Sequence, residues 1–186
     1  VDYFNYNKHY VRNVSNLAKE IRCYDNVCKN EKVIDNENDS GRVLRVFDNG
    51  KALVDFDKYK KHYIKNIRSL SKVTTNRCLG NFCIGSKVID SENDIGRILE
   101  VFDNGKALID YDKYNKHYVR KTRNLALSYR CSDGLCVGDR VIDNENNTGR
   151  VLTIFDDGKV QIDYDNYNRH YVRTLRSLGY KIDCYN

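Results

Sequence analysis

Apolar and polar residues alternate along this chain in short runs, two of them joined by a glycine-containing turn, and the whole pattern returns three times. Residues 97–102 (RILEVF) and 106–111 (KALIDY) follow the period of two expected of a half-buried strand, with Asp103-Asn104-Gly105 between them. Asp48-Asn49-Gly50 and Asp156-Asp157-Gly158 stand at the equivalent places. Asn-Gly and Asp-Gly tolerate positive φ at both central positions, which predicts tight type I′ hairpins at Asn49-Gly50, Asn104-Gly105 and Asp157-Gly158. Upstream, residues 87–90 read as a short first strand, followed by the polar loop 91–96. Downstream, residues 117–120 (HYVR) read as a fourth strand, and the region of Leu125 as a last strand or turn.

The repetition is explicit in the residues. VIDNENDSGRVLRVF from Val33, VIDSENDIGRILEVF from Val88 and VIDNENNTGRVLTIF from Val141 open three copies with a period of roughly 53 residues. A partial copy, VDYFNYNKHYVRNVSNL, precedes them and matches only the later half. The expected divisions are 1–22 for the partial copy, then 23–77, 78–130 and 131–186. A start in mid-copy, at Val1, fits an N-terminus made by processing, by proteolysis or by an incomplete chain, and leaves room for copies upstream. A piece of about 50 residues buries only about 60% of the surface its unfolded chain exposes, so each copy needs support from neighbours or covalent staples. Five short strands in so few residues predict an all-β fold, a tandem array of small five-stranded barrels in which curvature removes exposed sheet edges.

Val137-Gly138-Asp139-Arg140-Val141, Gly149-Arg150-Val151 and Tyr171-Val172-Arg173 carry a resemblance to the Tudor and KOW small-barrel superfamily. It covers most of each copy and implies a five-stranded barrel able to read nucleic acid or peptides. The chain also resembles the tandem cysteine-containing repeats of secreted proteins in predatory bacteria, a likeness that carries no activity with it.

Seven cysteines form three C-x4-C pairs, Cys23/Cys28, Cys78/Cys83 and Cys131/Cys136, with Cys184 left over. Zinc sites favour C-x2-C spacing with a second pair, so disulfides in an oxidising compartment are the better reading, and they predict a secreted, periplasmic or extracellular protein. Two connectivities are open. Local bonds would join each C-x4-C pair and leave Cys184 idle. The preferred scheme joins Cys28 to Cys78, Cys83 to Cys131 and Cys136 to Cys184, closing each barrel from start to end and leaving only Cys23. A closed loop of roughly 50 residues would contribute about 4 kcal/mol.

The chemistry of catalysis is not written in the pattern. His9, His62, His117 and His170 hold one position in the repeat, with no recurring nucleophile beside them. The acidic loop 35–41 departs from an EF-hand, with its Gly at position seven and no Glu at position twelve, and the third copy has Asn147 where a carboxylate stood. Neither a metal nor a cofactor is expected, and the chain reads as a non-enzymatic protein. Asn13, Asn38 and Asn146 begin N-x-S/T sequons, a weak signal in an Asn-rich chain.

Charge adds a candidate surface. The net charge is +6, and the stretch from Lys113 to Arg123 interleaves Lys116, Arg120 and Lys121 with Tyr114, His117 and Tyr118. The expected binding face is therefore Tyr59, His62, Tyr63 and Lys65 with its equivalents Tyr114, His117, Tyr118, Arg120 and Tyr167, His170, Tyr171, Arg173. Its partner would be a polymer, a glycan or a protein surface, including another copy of the chain, with modest sites multiplied by repetition. Nucleic acid is the second choice, since basic residues among aromatics suit single strands. No apolar run approaches 18 residues, so no membrane-spanning helix is expected.

Overall fold

The structure, a computed structural model, describes residues 13, 15, 17–59 and 61–180. Described residues form β-strands and short 3-10 turns, with no α-helix among them. They fall into two compact units: residues up to 73 with 102–104, and 74–101 with the residues from 105 onward.

In the first unit the antiparallel order is His62–Asn66, Lys51–Phe56, Ser40–Phe47, Lys32–Ile34, Ser71–Lys72. In chain order within the copy this is 4-3-2-1-5, and the fourth and fifth strands share no ladder among the described residues. Glu20–Ile21, from the end of the partial copy, pairs with the second strand, Glu20 opposite Phe47 and Ile21 opposite Val46. Most of the partial copy, including His9, lies outside the described residues. Alternation buries Val33, Val43, Val54 and Phe56 on one side of the sheet. A bulge between Val43 and Arg45 shifts the register by one, so that Val46 returns to the same core.

The second unit holds two copies in one continuous sheet. His117–Lys121, Lys106–Tyr111, Ile95–Val101, Lys87–Asp90 and Leu125–Tyr129 repeat the 4-3-2-1-5 order. Leu125–Tyr129 then pairs with Thr148–Phe155, the second strand of the third copy, Ser128 opposite Phe155 and Tyr129 opposite Ile154. Arg140–Asp143, Leu178–Tyr180, Lys159–Tyr164 and His170–Thr174 complete that copy. Each copy keeps its own core, around Ile98, Ile109 and Tyr111 in one and Val151, Ile162 and Tyr164 in the other. Phe155 is fully buried against Ile89, Ile95 and Ala126 of the preceding copy, which makes a joint core between them. Lys87 crosses the same junction, its Nζ donating to Thr153 Oγ1 at 2.8 Å and Gln161 Oε1 at 3.2 Å.

Two expectations need correction. The turns at Gly50, Gly105 and Gly158 have positive φ at the glycine alone, and Gly50 N donates to Phe47 O. This is a type I turn closed by a left-handed glycine, in place of type I′. The larger correction concerns the cysteines. The bonds are the local ones, Cys23–Cys28, Cys78–Cys83 and Cys131–Cys136, so the barrel-closing scheme through Cys28–Cys78, Cys83–Cys131 and Cys136–Cys184 does not hold. Cys184 itself lies outside the described residues. The physical reason is a tight hairpin: Asp25-Asn26 and Asp133-Gly134 take positive φ at both positions, which sets Cys23 opposite Cys28 and Cys131 opposite Cys136. The hairpins also plug their copies, because Val27 and Leu135 are buried in the respective cores and Phe82 packs against that of the second copy.

Candidate functional site

The third strand of each copy ends in a buried aromatic residue, Phe56, Tyr111 or Tyr164. The chain then turns back, with Tyr59 N donating to Phe56 O, Tyr114 N to Tyr111 O and Tyr167 N to Tyr164 O. The turn lays a second ring beside the first. The fourth strand brings a third ring, Tyr63, Tyr118 or Tyr171, from the same side. In the first copy the Phe56–Tyr59 and Phe56–Tyr63 centroids are 6.3 and 6.2 Å apart. The corresponding pairs are both 6.0 Å apart in the second copy, and 5.9 and 5.7 Å apart in the third. The outer pair, Tyr59–Tyr63, Tyr114–Tyr118 and Tyr167–Tyr171, holds 5.3, 5.4 and 5.3 Å with the planes steeply inclined, the edge-to-face arrangement that aromatic quadrupoles favour.

The acidic loop lies against these rings. Asp35, Asp90 and Asp143 are buried at its head. One oxygen of each accepts the backbone N–H groups two and four residues on, from Glu37 and Asp39, Glu92 and Asp94, Glu145 and Asn147. The other oxygen varies between copies. Asp35 takes Lys65 Nζ at 2.8 Å, Asp90 takes the Tyr111 hydroxyl at 2.8 Å with Arg120 at 3.7 Å, and Asp143 takes Asn147 Nδ2 at 3.2 Å. Burial opposes the charge on Asp35, yet the hydrogen bonds from Lys65 and from the Asp39 and Glu37 N–H groups outweigh it and hold the carboxyl below its ordinary range. The same contest leaves Asp143 at about 2, burial being outweighed chiefly by the Asn147 N–H. Burial, with the Asp143 carboxylate beside it, pushes the buried Tyr164 phenol up to about 12.

The loop also holds the second ring, since the Tyr59 hydroxyl donates to Asp39 Oδ2 at 2.8 Å and that of Tyr114 to Asp94 Oδ2 at 2.7 Å. Lys58 and Lys113 stand beside those carboxylates at 3.4 and 3.5 Å. In the third copy Asn147 replaces the carboxylate and Asn166 the lysine, so the charge pair changes as a pair. The carboxylate oxygens of Asp35, Glu37 and Asp39, and those of Asp90, Glu92 and Asp94, converge within 4.8 Å. Tyrosine hydroxyls and lysines already donate to the four aspartates among them.

The expected binding face is divided by strand alternation. Tyr63 and Lys65 share one side of His62–Asn66, and His62 points to the other. His62 Nε2 lies 3.6 Å from Asp55 Oδ1, His117 Nε2 3.6 Å from Asp110 and His170 Nε2 3.8 Å from Asp163, all on the exposed face. The tyrosines and Lys65, Arg120 and Arg173 come together, and the histidines do not join them. The floor rings Phe56, Tyr111 and Tyr164 were missing from the expected face. Their signal was the recurring aromatic-Asp-x-Tyr spacing.

No protein-family model matches this chain, and no curated protein does. The recurring ring cluster is the feature of the described residues that bears most on function. Cations extend it: Arg120 lies 5.2 Å over the Tyr118 ring, Arg173 5.2 Å over Tyr171, and Lys65 5.4 Å over Phe56. None of the described helices is long and apolar enough to cross a membrane.

Proposed function

We propose that this protein is a non-enzymatic, secreted binding array whose copies hold a glycan of the cell envelope or its surroundings through their tyrosine clusters. The observation that carries the reading is the outer tyrosine pair, reproduced at 5.3 to 5.4 Å in each of the three described copies. Edge-to-face rings beside carboxylates and cations offer an apolar platform for a sugar face and polar groups for its hydroxyls. Repetition along one chain then turns weak single sites into useful avidity. The three intramolecular disulfides suit an oxidising compartment. Each copy reads as a small barrel of the Tudor and KOW kind, a reading supported by the 4-3-2-1-5 strand order.

The ring cluster also favours a second reading, a Tudor- or KOW-like reader of peptides or nucleic acid, and the disulfides count against it. The test is titration of the oxidised chain with soluble polysaccharides and with single-stranded nucleic acid. The array reading expects saturable polysaccharide binding that the combined variant Tyr63→Ala, Tyr118→Ala, Tyr171→Ala loses while keeping its circular dichroism spectrum. Binding to nucleic acid alone, falling steeply with salt, would hand the case to the reader.

A further inference from the structure

The three ring clusters are alike in geometry and unlike in access. In the second and third copies an arginine covers the third tyrosine: Arg120 lies over Tyr118 and Arg173 over Tyr171, each at 5.2 Å, and each also reaches the floor ring. The first copy has Lys65 at that position. Its shorter, compact ammonium is drawn to Asp35 Oδ2 at 2.8 Å and lies over Phe56. Among the described residues no lysine or arginine lies over the Tyr63 ring. Tyr63 is accordingly 40% exposed, whereas Tyr118 and Tyr171 are half-buried. A cavity of about 250 Å³ opens there, lined by Glu37, Asp39, Phe56, Tyr59, Tyr63 and Lys65.

Resting on the glycan reading, we infer that the first copy holds the most accessible of these sites and that it takes a cationic sugar, one bearing a free amine. The protein supplies the argument from its own side chains. Where the equivalent space is filled, it is filled by a guanidinium stacked on tyrosine, so the tyrosine pair is suited to a cation on its face. The walls agree, because the Glu37 and Asp39 carboxylates both line the cavity against the single ammonium of Lys65. A volume below the roughly 300–1,000 Å³ of sites for drug-sized ligands admits a single residue of a polymer. Lys65 thus leaves its site wider than those that Arg120 and Arg173 overlie.

The test uses the full oxidised chain and four probes: a glucosamine oligomer with free amines, its fully N-acetylated counterpart, a neutral glucose oligomer, and arginine amide. Chemical shifts of the tyrosine rings report the site. The free-amine oligomer should bind at least about tenfold more tightly than the acetylated and neutral ones, with Tyr63 as the ring that moves. Lys65→Arg keeps the charge and should close the site, cutting that affinity about tenfold with an unchanged melting temperature. Ile64→Ala, exposed on the opposite side of the same strand, should change it less than about twofold. Equal binding of all three oligomers, or indifference to Lys65→Arg, overturns the cationic site and leaves the glycan reading standing. Binding of arginine amide at Tyr63 with no oligomer bound keeps the cationic site and removes the glycan reading. Silence from all four probes removes both.

Discussion

Ser128 lies opposite Phe155 in an antiparallel ladder, which makes the last strand of the second copy an edge strand of the third as well. No linker separates these two copies, and Phe155 is buried against Ile89, Ile95 and Ala126. Phe155→Ala should therefore destabilise both, by about 3–5 kcal/mol for loss of a buried phenylalanine. Hydrogen exchange should show Leu125–Tyr129 losing protection together with Thr148–Phe155. Loss confined to the third copy would show that the copies fold independently.

The second strand of each copy crosses the third at a glycine. A Cβ on Gly96 would stand 2.5 Å from the carbonyl oxygen of Asp110 and 2.9 Å from the Cα of Tyr111, both backbone atoms. Gly96→Ala, and likewise Gly149→Ala beside Asp163, should cost about 1–3 kcal/mol in urea unfolding, the usual scale for forced overpacking. Ala107→Gly, at a buried site without that crowding, serves as the control for simple loss of a methyl group.

Local disulfides are weaker staples than long-range ones. Closing a loop of about six residues contributes about 2 kcal/mol by the chain-entropy estimate, near half that of a loop of roughly 50. Non-reducing tryptic digestion should give the peptide from Cys23 to Lys29 two hydrogens lighter than its reduced form. Reduction should lower stability by about 2 kcal/mol per bond and expose the hairpin plugs, read as faster exchange at Val27 and Leu135. A digest linking Cys28 to Cys78 would contradict the structure.

Acid should loosen the loops in a defined window. Asp35 and Asp143 are both held below the ordinary carboxylate value of 3.8, and Asp143 lies at about 2. A depressed value favours the folded state above the unfolded value and loses that contribution as pH falls through the folded one. Urea midpoints should be level near pH 5 and fall between about pH 4 and pH 2. Asp143→Asn should flatten part of that fall. A midpoint that declined on raising the pH from 2 to 5 would reverse the sign and refute the assignment.

Strands and hairpins were legible because alternation is a local property: Val43, Val54 and Phe56 face one core by parity alone. The polar loop and the basic-aromatic strand were legible for the same reason. The cysteine pairing follows the turn chemistry inside each C-x4-C and not the spacing between copies. Asp25-Asn26 and Asp133-Gly134 form two-residue hairpins that set the sulfurs face to face. The division of His62 from Tyr63 is written in the same alternation, since neighbours along a strand face opposite ways. The cation over Tyr118, and its absence from Tyr63 among the described residues, depend on side-chain reach, which no periodicity encodes.

The pairing of Glu20 with Phe47 and of Ser128 with Phe155 has a bearing on heredity. Both junctions join the last strand of one copy to the second strand of the next in the same register. Unequal crossing-over between the near-identical stretches of such a gene would splice a last strand to a second strand that already fits it. Lineages could then lengthen or shorten the protein by whole units without a spell of misfolding, while substitutions such as Lys65 or Asn147 accumulate in single units and set them apart.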